Sequence, residues 1–208
     1  MLPTNIKINQ ERDKILNYSK ELFFKEGFYK ITMDTVASDL RISKKTIYKN
    51  FNSKESLIKS IVQSVKAEIS ENLDQIISSK DNSVLKLIGI NQLLGKLLMK
   101  LNDKWINDLK VYLPELWNEI DEFRTKRLYA AFSSIISKGQ EEELIKGYPA
   151  DMMVMIFLST LRGVVNNEFL LNSRYSYKDA VGTSLQVLFS GILTAKGKKI
   201  FKKSFSKV

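Results

Sequence analysis

The side chains that could do chemistry in this chain are carboxylates, hydroxyls and, above all, lysines. The 208 residues include no histidine and no cysteine. The usual imidazole general base, thiolate nucleophiles and the commonest zinc ligands are therefore missing. Carboxylates alone could still catalyse a reaction, but no carboxylate pair at helical spacing marks a clear cleft. We therefore expect no enzyme activity, no cofactor and no metal site.

The basic side chains are concentrated at the two ends of the chain. The net charge of +10 divides into +5 in residues 1–60, −1 in 61–195 and +6 in 196–208. Residues 41–60 alone hold six lysines and arginines against one acid, Glu55. A local basic cluster is the electrostatic footprint of nucleic-acid binding. The alternative is a solvated lysine-rich face. The secondary structure that carries the cluster distinguishes the two interpretations.

The sequence around these lysines predicts short, capped helices. Gly27 ends the first helix, and Thr32, Ser43 and Ser53 each precede a helix as its N-cap. The predicted helices are 9–26, 33–40 and 44–51, with a longer fourth helix from residue 54. Two short helices joined by a tight turn form a helix-turn-helix, whose second helix enters the major groove of DNA. The recognition helix is then at about residues 43–51.

The residues that define this pattern are also those of a known family. They are Ile15, Leu22, Phe23, Gly27, Phe28, Thr32, Val36, Ala37, Ile42, Ser43, Lys44, Thr46, Tyr48, Phe51, Lys54, Glu55, Leu57 and Ile58. On these positions, residues 13–58 resemble the N-terminal domain of the tetracycline-repressor (TetR) family. The resemblance implies a DNA-binding transcriptional regulator without enzyme activity.

Nine residues of this segment are expected to contact DNA. They are Thr32, Ser43, Lys44, Lys45, Thr46, Tyr48, Lys49, Asn50 and Lys54. The free N–H groups at the helix start beside Ser43 suit phosphate oxygens. By the resemblance, Tyr48 and Lys54 would hold phosphates, whereas Lys44, Lys45 and Asn50 would be nearer the bases.

Arg41 departs from the family pattern. This turn position is usually glycine or another small residue in the family. A positive φ at Arg41 would strain the backbone by about 1–3 kcal/mol. The alternative is a slightly different turn.

The remaining chain has helical spacing throughout, and the expected fold is all-α. The predicted helices are 54–79, 83–101, 103–113, 115–139, 149–172 and 176–196. We expect a helix-turn-helix DNA-binding domain at residues 1–53. The long fourth helix joins it to a larger effector-binding and dimerisation domain at 54–208. The acid-free tail KGKKIFKKSFSKV is expected to be solvated.

The last two helices are apolar nearly all round, so each must be buried on more than one side. Pairing them with a second copy of the chain would bury them in a four-helix dimer interface. The predicted interface residues are Leu158, Val165, Phe169, Leu185, Leu188 and Ile192. The alternative is that these side chains form the core of a monomer.

The family resemblance also implies a small-molecule effector site in the C-terminal domain. The residues predicted to line it are Trp105, Leu109, Trp117, Phe123, Arg127, Phe157 and Arg162. Arg127 and Arg162 each fall on an apolar stripe, where a charge must be paired or must meet a ligand. One hypothesis is that one of them meets an anionic effector. The alternative is an internal partner such as Glu119, Asp121 or Glu168.

Together these features predict a homodimeric repressor that a small molecule releases from a palindromic DNA operator. The alternative is a nonspecific or architectural DNA-binding protein. The longest apolar run, Met152 to Leu158, is seven residues long, against about 20 for a membrane-spanning helix. The first ten residues lack the apolar core of a signal peptide. We therefore expect no membrane association and a cytoplasmic location.

Overall fold

The computed structural model describes residues 4–164 and 174–205. Within these ranges it contains ten helices, and its only β pairing is an isolated bridge between Ile145 and Leu193. The helices are α1 (Thr4–Glu26), α2 (Met33–Asp39), α3 (Lys44–Asn50), α4 (Lys54–Ser78), α5 (Ser83–Lys100), α6 (Asp103–Tyr112), α7 (Pro114–Glu141), α8 (Ala150–Val164), α9 (Tyr177–Ile192) and α10 (Ala195–Phe205). The all-α class predicted from the sequence is confirmed.

The helices α2, α3 and α4 begin where the sequence predicts and end one residue earlier, whereas α1 begins at Thr4, five residues before its predicted start. Thr32 Oγ1 accepts a hydrogen bond from the Thr35 amide at 3.1 Å. Ser43 Oγ accepts one from the Thr46 amide, and Ser53 Oγ one from the Ser56 amide, each at 3.0 Å. Each cap satisfies a backbone N–H that has no partner within its own helix. The α1 helix ends at Gly27, whose φ of 75° is the left-handed conformation that glycine adopts without strain.

The chain divides into two compact units that do not follow its order. The first unit contains residues 1–68 and 100–120, and the second contains residues 69–99 and 121–208. The first unit thus includes α6, which lies far beyond the helix-turn-helix in the sequence. The functional boundary after residue 53 stays a prediction.

In the first unit, α1 packs against α3 and α6. Five apolar side chains of this unit are fully buried: Ile15, Phe23, Val36, Ile47 and Leu57. Trp105 of α6 lies among three phenylalanines of α1 and the turn after it, with ring centroids 5.1 to 6.5 Å apart. Replacing one of these buried aromatic residues by alanine typically costs about 3–5 kcal/mol, so this packing fixes the helix-turn-helix to α6.

The second unit has a larger apolar core, to which α5, α7, α8 and α9 contribute. At its centre Phe132, Phe157 and Phe189 contact one another, with ring centroids 5.0 to 6.3 Å apart. The α8 helix packs against α9. Among the described residues, no helix combines the length and the apolar character needed to cross a membrane.

The C-terminal end differs from the sequence-based prediction of one helix over 176–196 and a solvated tail. Leu193 is extended, with φ −74° and ψ 140°, and ends α9 at Ile192. The Thr194 hydroxyl then accepts a hydrogen bond from the Gly197 amide at 3.1 Å, which begins α10. Ile200 and Phe201 of α10 are half-buried against the core. As far as Phe205 the basic tail is therefore helical, and its two apolar side chains anchor it.

Candidate nucleic-acid interface

The α3 helix presents its basic side chains on the surface and anchors itself with its apolar ones. Ile47 is fully buried and Phe51, at the C-cap, is 2% exposed. Lys44, Lys45 and Lys49 are exposed, and Tyr48 is 46% exposed. The sequence predicted this division, since Ile47 and Phe51 are four residues apart and share one face of a helix.

The turn between α2 and α3 is a Schellman motif. The Ile42 amide donates to the Ala37 carbonyl and the Arg41 amide to the Ser38 carbonyl, each at 3.0 Å. This pattern places the residue after the C-cap in the left-handed region. That residue is Arg41, with a φ of 54°. The arginine therefore adopts a conformation that favours glycine.

Two of the three residues predicted to approach the bases, Lys44 and Asn50, already have partners within the first unit. Lys44 forms an ion pair with Asp34 of α2, which raises the pKa of the lysine. Asn50 Nδ2 donates to the Thr46 carbonyl at 2.9 Å and to Glu11 Oε2 at 3.3 Å. These contacts orient both side chains before any DNA is bound.

Lys54 lies at the start of α4 and is half-buried. Its Nζ donates to the Tyr29 carbonyl at 3.0 Å and lies 5.7 Å from the centroid of the Phe28 ring. Burial lowers the pKa of Lys54, and the negative charge of Asp108 opposes that effect. An ammonium group has three donors, so two remain for phosphate oxygens.

Two acids that support this surface, Asp34 and Asp108, were not predicted from the sequence. Asp34 stands in the first turn of α2, and Asp108 is a buried carboxylate on α6. One signal could have revealed Asp108. It falls on the stripe of Trp105, Leu109 and Tyr112, and an acid in such an apolar stripe needs a partner.

Comparison with known proteins agrees with this geometry. The family model described as bacterial regulatory proteins, tetR family, matches residues 15–61. The helix-turn-helix of this chain is a tetR-family domain. The matched segment contains α2, α3 and the start of α4, and the protein is a DNA-binding transcriptional regulator with a helix-turn-helix.

Relatives that match this chain over most of its length are transcriptional regulators. The uncharacterized regulator YvaF of Bacillus subtilis is 26% identical over 182 residues, which are 86% of this chain and 94% of YvaF. IcaR of Staphylococcus aureus, the negative regulator of the biofilm operon icaADBC, is 25% identical over 85% of this chain and 97% of IcaR. A TetR-family regulator from Marinobacter aquaeolei has the same fold, with a TM-score of 0.70 at 23% identity over 94% of this chain and 97% of its own.

The predicted effector-site residues are divided between the two units of the chain. Trp105, Leu109 and Trp117 are in the first unit, where Trp105 and Leu109 are buried. Phe123, Arg127, Phe157 and Arg162 are in the second, where Phe157 belongs to the aromatic centre of the core. The assignment of these seven residues to an effector site stays a prediction.

Both arginines on apolar stripes have internal partners. Arg127 Nη2 donates to Asp74 Oδ1 at 2.6 Å and to the Ser70 carbonyl at 3.1 Å. Arg162 Nη2 donates to Asp121 Oδ2 at 3.2 Å and to Thr125 Oγ1 at 2.9 Å. Asp121 is one of the partners that the sequence offered for these arginines. Neither guanidinium therefore needs a bound anion for its charge to be paired.

The predicted dimer residues lie mostly inside one protomer. Leu158, Leu185 and Ile192 are buried and Leu188 is half-buried, whereas Val165 and Phe169 lie outside the described residues. The exposed apolar side chains of the same helices are Met152, Met155 and Ile156 on α8 and Val187 on α9. These four side chains remain exposed, whereas the buried ones already belong to the core of the second unit.

Proposed function

We propose that this protein is a homodimeric repressor that binds a palindromic operator through α3 and is released from it by a small-molecule effector. The observation that carries the proposal is the surface of α3. Three exposed lysines and Tyr48 lie on a helix that Ile47 anchors from below. The nine residues predicted to contact DNA are its proposed contacts. Such a regulator would act in the cytoplasm, where the DNA is.

The exposed faces of α8 and α9 support a homodimer. Val187 is 64% exposed, and Met152, Met155 and Ile156 are 49 to 58% exposed. Gly182 and Gly191 of α9 are exposed, and a Cβ added at either would meet nothing within 4 Å in the described part of the chain. Glycine inside a helix costs about 0.5–1 kcal/mol relative to alanine. Close approach of a partner helix would offset that cost.

Dimerisation would explain why the operator is palindromic. A two-fold axis relates two copies of α3, so each copy would read one half of a symmetric site. Half-sites read by such dimers lie one helical turn of DNA apart, about 34–36 Å, or multiples of it. Repression is the direction that IcaR's name states for that relative. A dimer bound across a promoter would act in the same direction by blocking transcription.

The effector site is proposed in the second unit, beside Arg127. The Nε atom of this arginine is buried, and it has no hydrogen-bond partner among the described residues. An unpaired buried donor costs about 1–3 kcal/mol, and an acceptor oxygen of an effector would recover that energy. Effector binding would favour a conformation in which the two α3 helices no longer match the operator.

Selection from a pool of random-sequence duplexes by the full-length protein tests the DNA-binding proposal. A specific repressor would enrich a palindrome and would keep it in the presence of excess random duplex. A nonspecific or architectural protein would enrich no motif and would be lost to that competitor. Either of these last results would contradict the proposal.

Two variants test the contact assignment on the selected duplex. Lys45→Ala and Tyr48→Phe should each weaken binding, because each removes a donor to the DNA. Lys126→Ala is the matched control, since this exposed lysine lies on α7 in the second unit. Wild-type affinity in both α3 variants would contradict the assignment.

Arg127→Lys tests the effector site once a screen for released operator has found a ligand. Lysine keeps a positive charge beside Asp74 but lacks the Nε donor. We expect normal operator binding and about tenfold weaker release, the effect of one lost hydrogen bond of about 1.4 kcal/mol. Release at the wild-type effector concentration would place the site elsewhere.

A further inference from the structure

The carboxylate of Asp108 on α6 holds the turn that joins α1 to α2. Asp108 is 8% exposed. Its Oδ2 atom accepts hydrogen bonds from the Phe28 amide at 2.7 Å and from the Tyr29 amide at 2.8 Å. Bonds from two N–H groups to one carboxylate oxygen are charge-assisted, which makes them short and strong. The residues joined are about 80 positions apart in the sequence.

The turn is shaped to receive this carboxylate. A Cβ added at Gly27 would lie 2.6 Å from Asp108 Oδ2 and 3.0 Å from the Cβ of Lys104. Gly27 therefore serves the close approach of α6 as well as the left-handed end of α1. Two residues further along the turn, the Tyr29 ring stacks on Tyr112 of α6, with centroids 4.1 Å apart and planes at 6°.

The same turn residue connects Asp108 to Lys54. The Tyr29 amide donates to Asp108, and the Tyr29 carbonyl accepts from Lys54 Nζ at 3.0 Å. The Phe28 amide donates to Asp108, and the Phe28 ring lies beneath the same ammonium group. Lys54 thus contacts two consecutive residues, Phe28 and Tyr29. The backbone of both residues is held by the buried carboxylate of Asp108.

We propose that Asp108 is a positioning residue for DNA binding, which fixes Phe28 and Tyr29 so that Lys54 is held ready for a phosphate. This inference rests on the proposed function, in which Lys54 is a DNA contact. Asp108 itself does not touch DNA, because it is buried on α6. Its effect reaches the DNA only through the turn and the lysine.

The salt dependence of DNA affinity separates this role from a purely structural one. The logarithm of the binding constant falls with the logarithm of salt concentration, with a slope of about −0.9 for each phosphate contact. Losing Lys54 from both protomers of a dimer should make the slope about 1.8 less steep. Between 50 and 200 mM salt that change is about 12-fold in affinity. A variant that is only less stable keeps its contacts, and therefore its slope, wherever it is folded.

The experiment measures this slope with the full-length protein and the duplex selected as described under Proposed function. The variants are Lys54→Ala, Asp108→Ala and the double variant, with Asp108→Asn as the conservative replacement. Lys54→Ala and Asp108→Ala should lose the same part of the slope, and the double variant should lose no more than either. Asp108→Asn should restore the wild-type slope, because its amide oxygen can accept both N–H groups. Asp103→Ala, which removes an exposed acid from the same helix, is the matched control and should change nothing.

Several results would overturn the inference. If Asp108→Ala keeps the wild-type slope while Lys54→Ala loses it, the inference fails and the proposed function stands. If the double variant loses the sum of both effects, Asp108 acts independently of Lys54. If Lys54→Ala keeps the slope, the contact assignment and the inference fail together. Asp108→Ser, which is too short to reach both amides, replaces Asp108→Ala if the latter does not fold.

Discussion

Arg41 combines a strained backbone with a charge beside the recognition helix. Its φ of 54° lies in the left-handed region, where a side chain costs about 1–2 kcal/mol. The two Schellman hydrogen bonds of Arg41 and Ile42 hold it there. Arg41 is exposed and lies two residues before Ser43, the N-cap of α3. The strain is therefore local, and the charge is placed where DNA is proposed to bind.

Arg41→Gly should raise the free energy of unfolding by about 1 kcal/mol, since glycine relieves the left-handed strain but adds freedom to the unfolded chain. Urea denaturation measures this change. The same variant should bind the selected duplex more weakly, because a positive charge is lost beside it. Arg41→Lys is the control, which keeps the charge and the strain and should leave both quantities unchanged. A less stable Arg41→Gly protein would show that the turn does not strain the chain.

Asp34 is an acid within the basic surface, and its ion pair with Lys44 limits that surface's attraction for DNA. The pair is exposed, and such pairs contribute about 0–1 kcal/mol to stability. Asp34→Asn should therefore change stability little and tighten binding to random-sequence duplex several-fold at low salt. Fluorescence anisotropy measures the affinity, and Asp151→Asn on α8 is the control. Weaker binding by Asp34→Asn would mean that the pair orients Lys44 more than it neutralises it.

The α10 helix lies close to the backbone of the segment after α7. A Cβ added at Gly197 would lie 2.2 Å from the Leu144 carbonyl oxygen, and backbone cannot move aside as a flexible side chain can. Ile200 and Phe201 complete the attachment of α10 to the second unit. Its five lysines are thereby carried on an ordered helix instead of a solvated tail.

Gly197→Ala should lower the free energy of unfolding by about 1–3 kcal/mol, because the new methyl group overpacks this contact. Gly95→Ala in α5 is the matched control. A Cβ at Gly95 would meet nothing within 4 Å among the described residues, so this variant should gain about 0.5–1 kcal/mol. Thermal unfolding of both proteins gives the comparison. Equal stability of the two would show that α10 does not pack on Leu144.

The whole molecule must be a dimer to bind a palindrome as proposed, because a single α3 would contact only one half-site. The apolar side chains that α8 and α9 leave exposed are available to a partner. Exposed apolar patches of this kind mark interaction sites when they are contiguous. The proposed mechanism of release also needs two linked copies of α3.

Val187→Glu should convert the protein from dimer to monomer at micromolar concentration and weaken binding to the palindrome, because it would bury two like charges at the interface. Sedimentation velocity measures the mass. Val111→Glu is the control, since Val111 is also a highly exposed valine but lies on α6 in the first unit. A wild-type protein that is already monomeric would contradict the proposed homodimer.

The sequence predicted the helix-turn-helix closely because the interactions that define it are local. The caps at Thr32 and Ser43 join residues three apart, and the Arg41 turn closes over six residues. Residue types at such short separations restrict the backbone strongly. The same locality gave the bounds of α4 and α6 to within one residue of those in the structure.

What remained hidden depends on contacts between residues far apart in the chain. The break after α9 needs Leu193 to pair with Ile145, and α10 needs Gly197 to meet Leu144. The buried state of Leu185 likewise follows from the side chains that surround it. A periodic apolar pattern identifies which residues are buried, but not whether the protomer or a partner buries them.

The all-α class, the capped recognition helix and its basic surface could be predicted from the sequence, because each of these follows from neighbouring residues. The side chains that support that surface became clear only from the packing of distant segments. Asp108 meets Phe28 and Lys54 meets Tyr29 because α6 and α4 pack beside the same turn. The free energy of that packing is shared among many side chains, and no short segment encodes it.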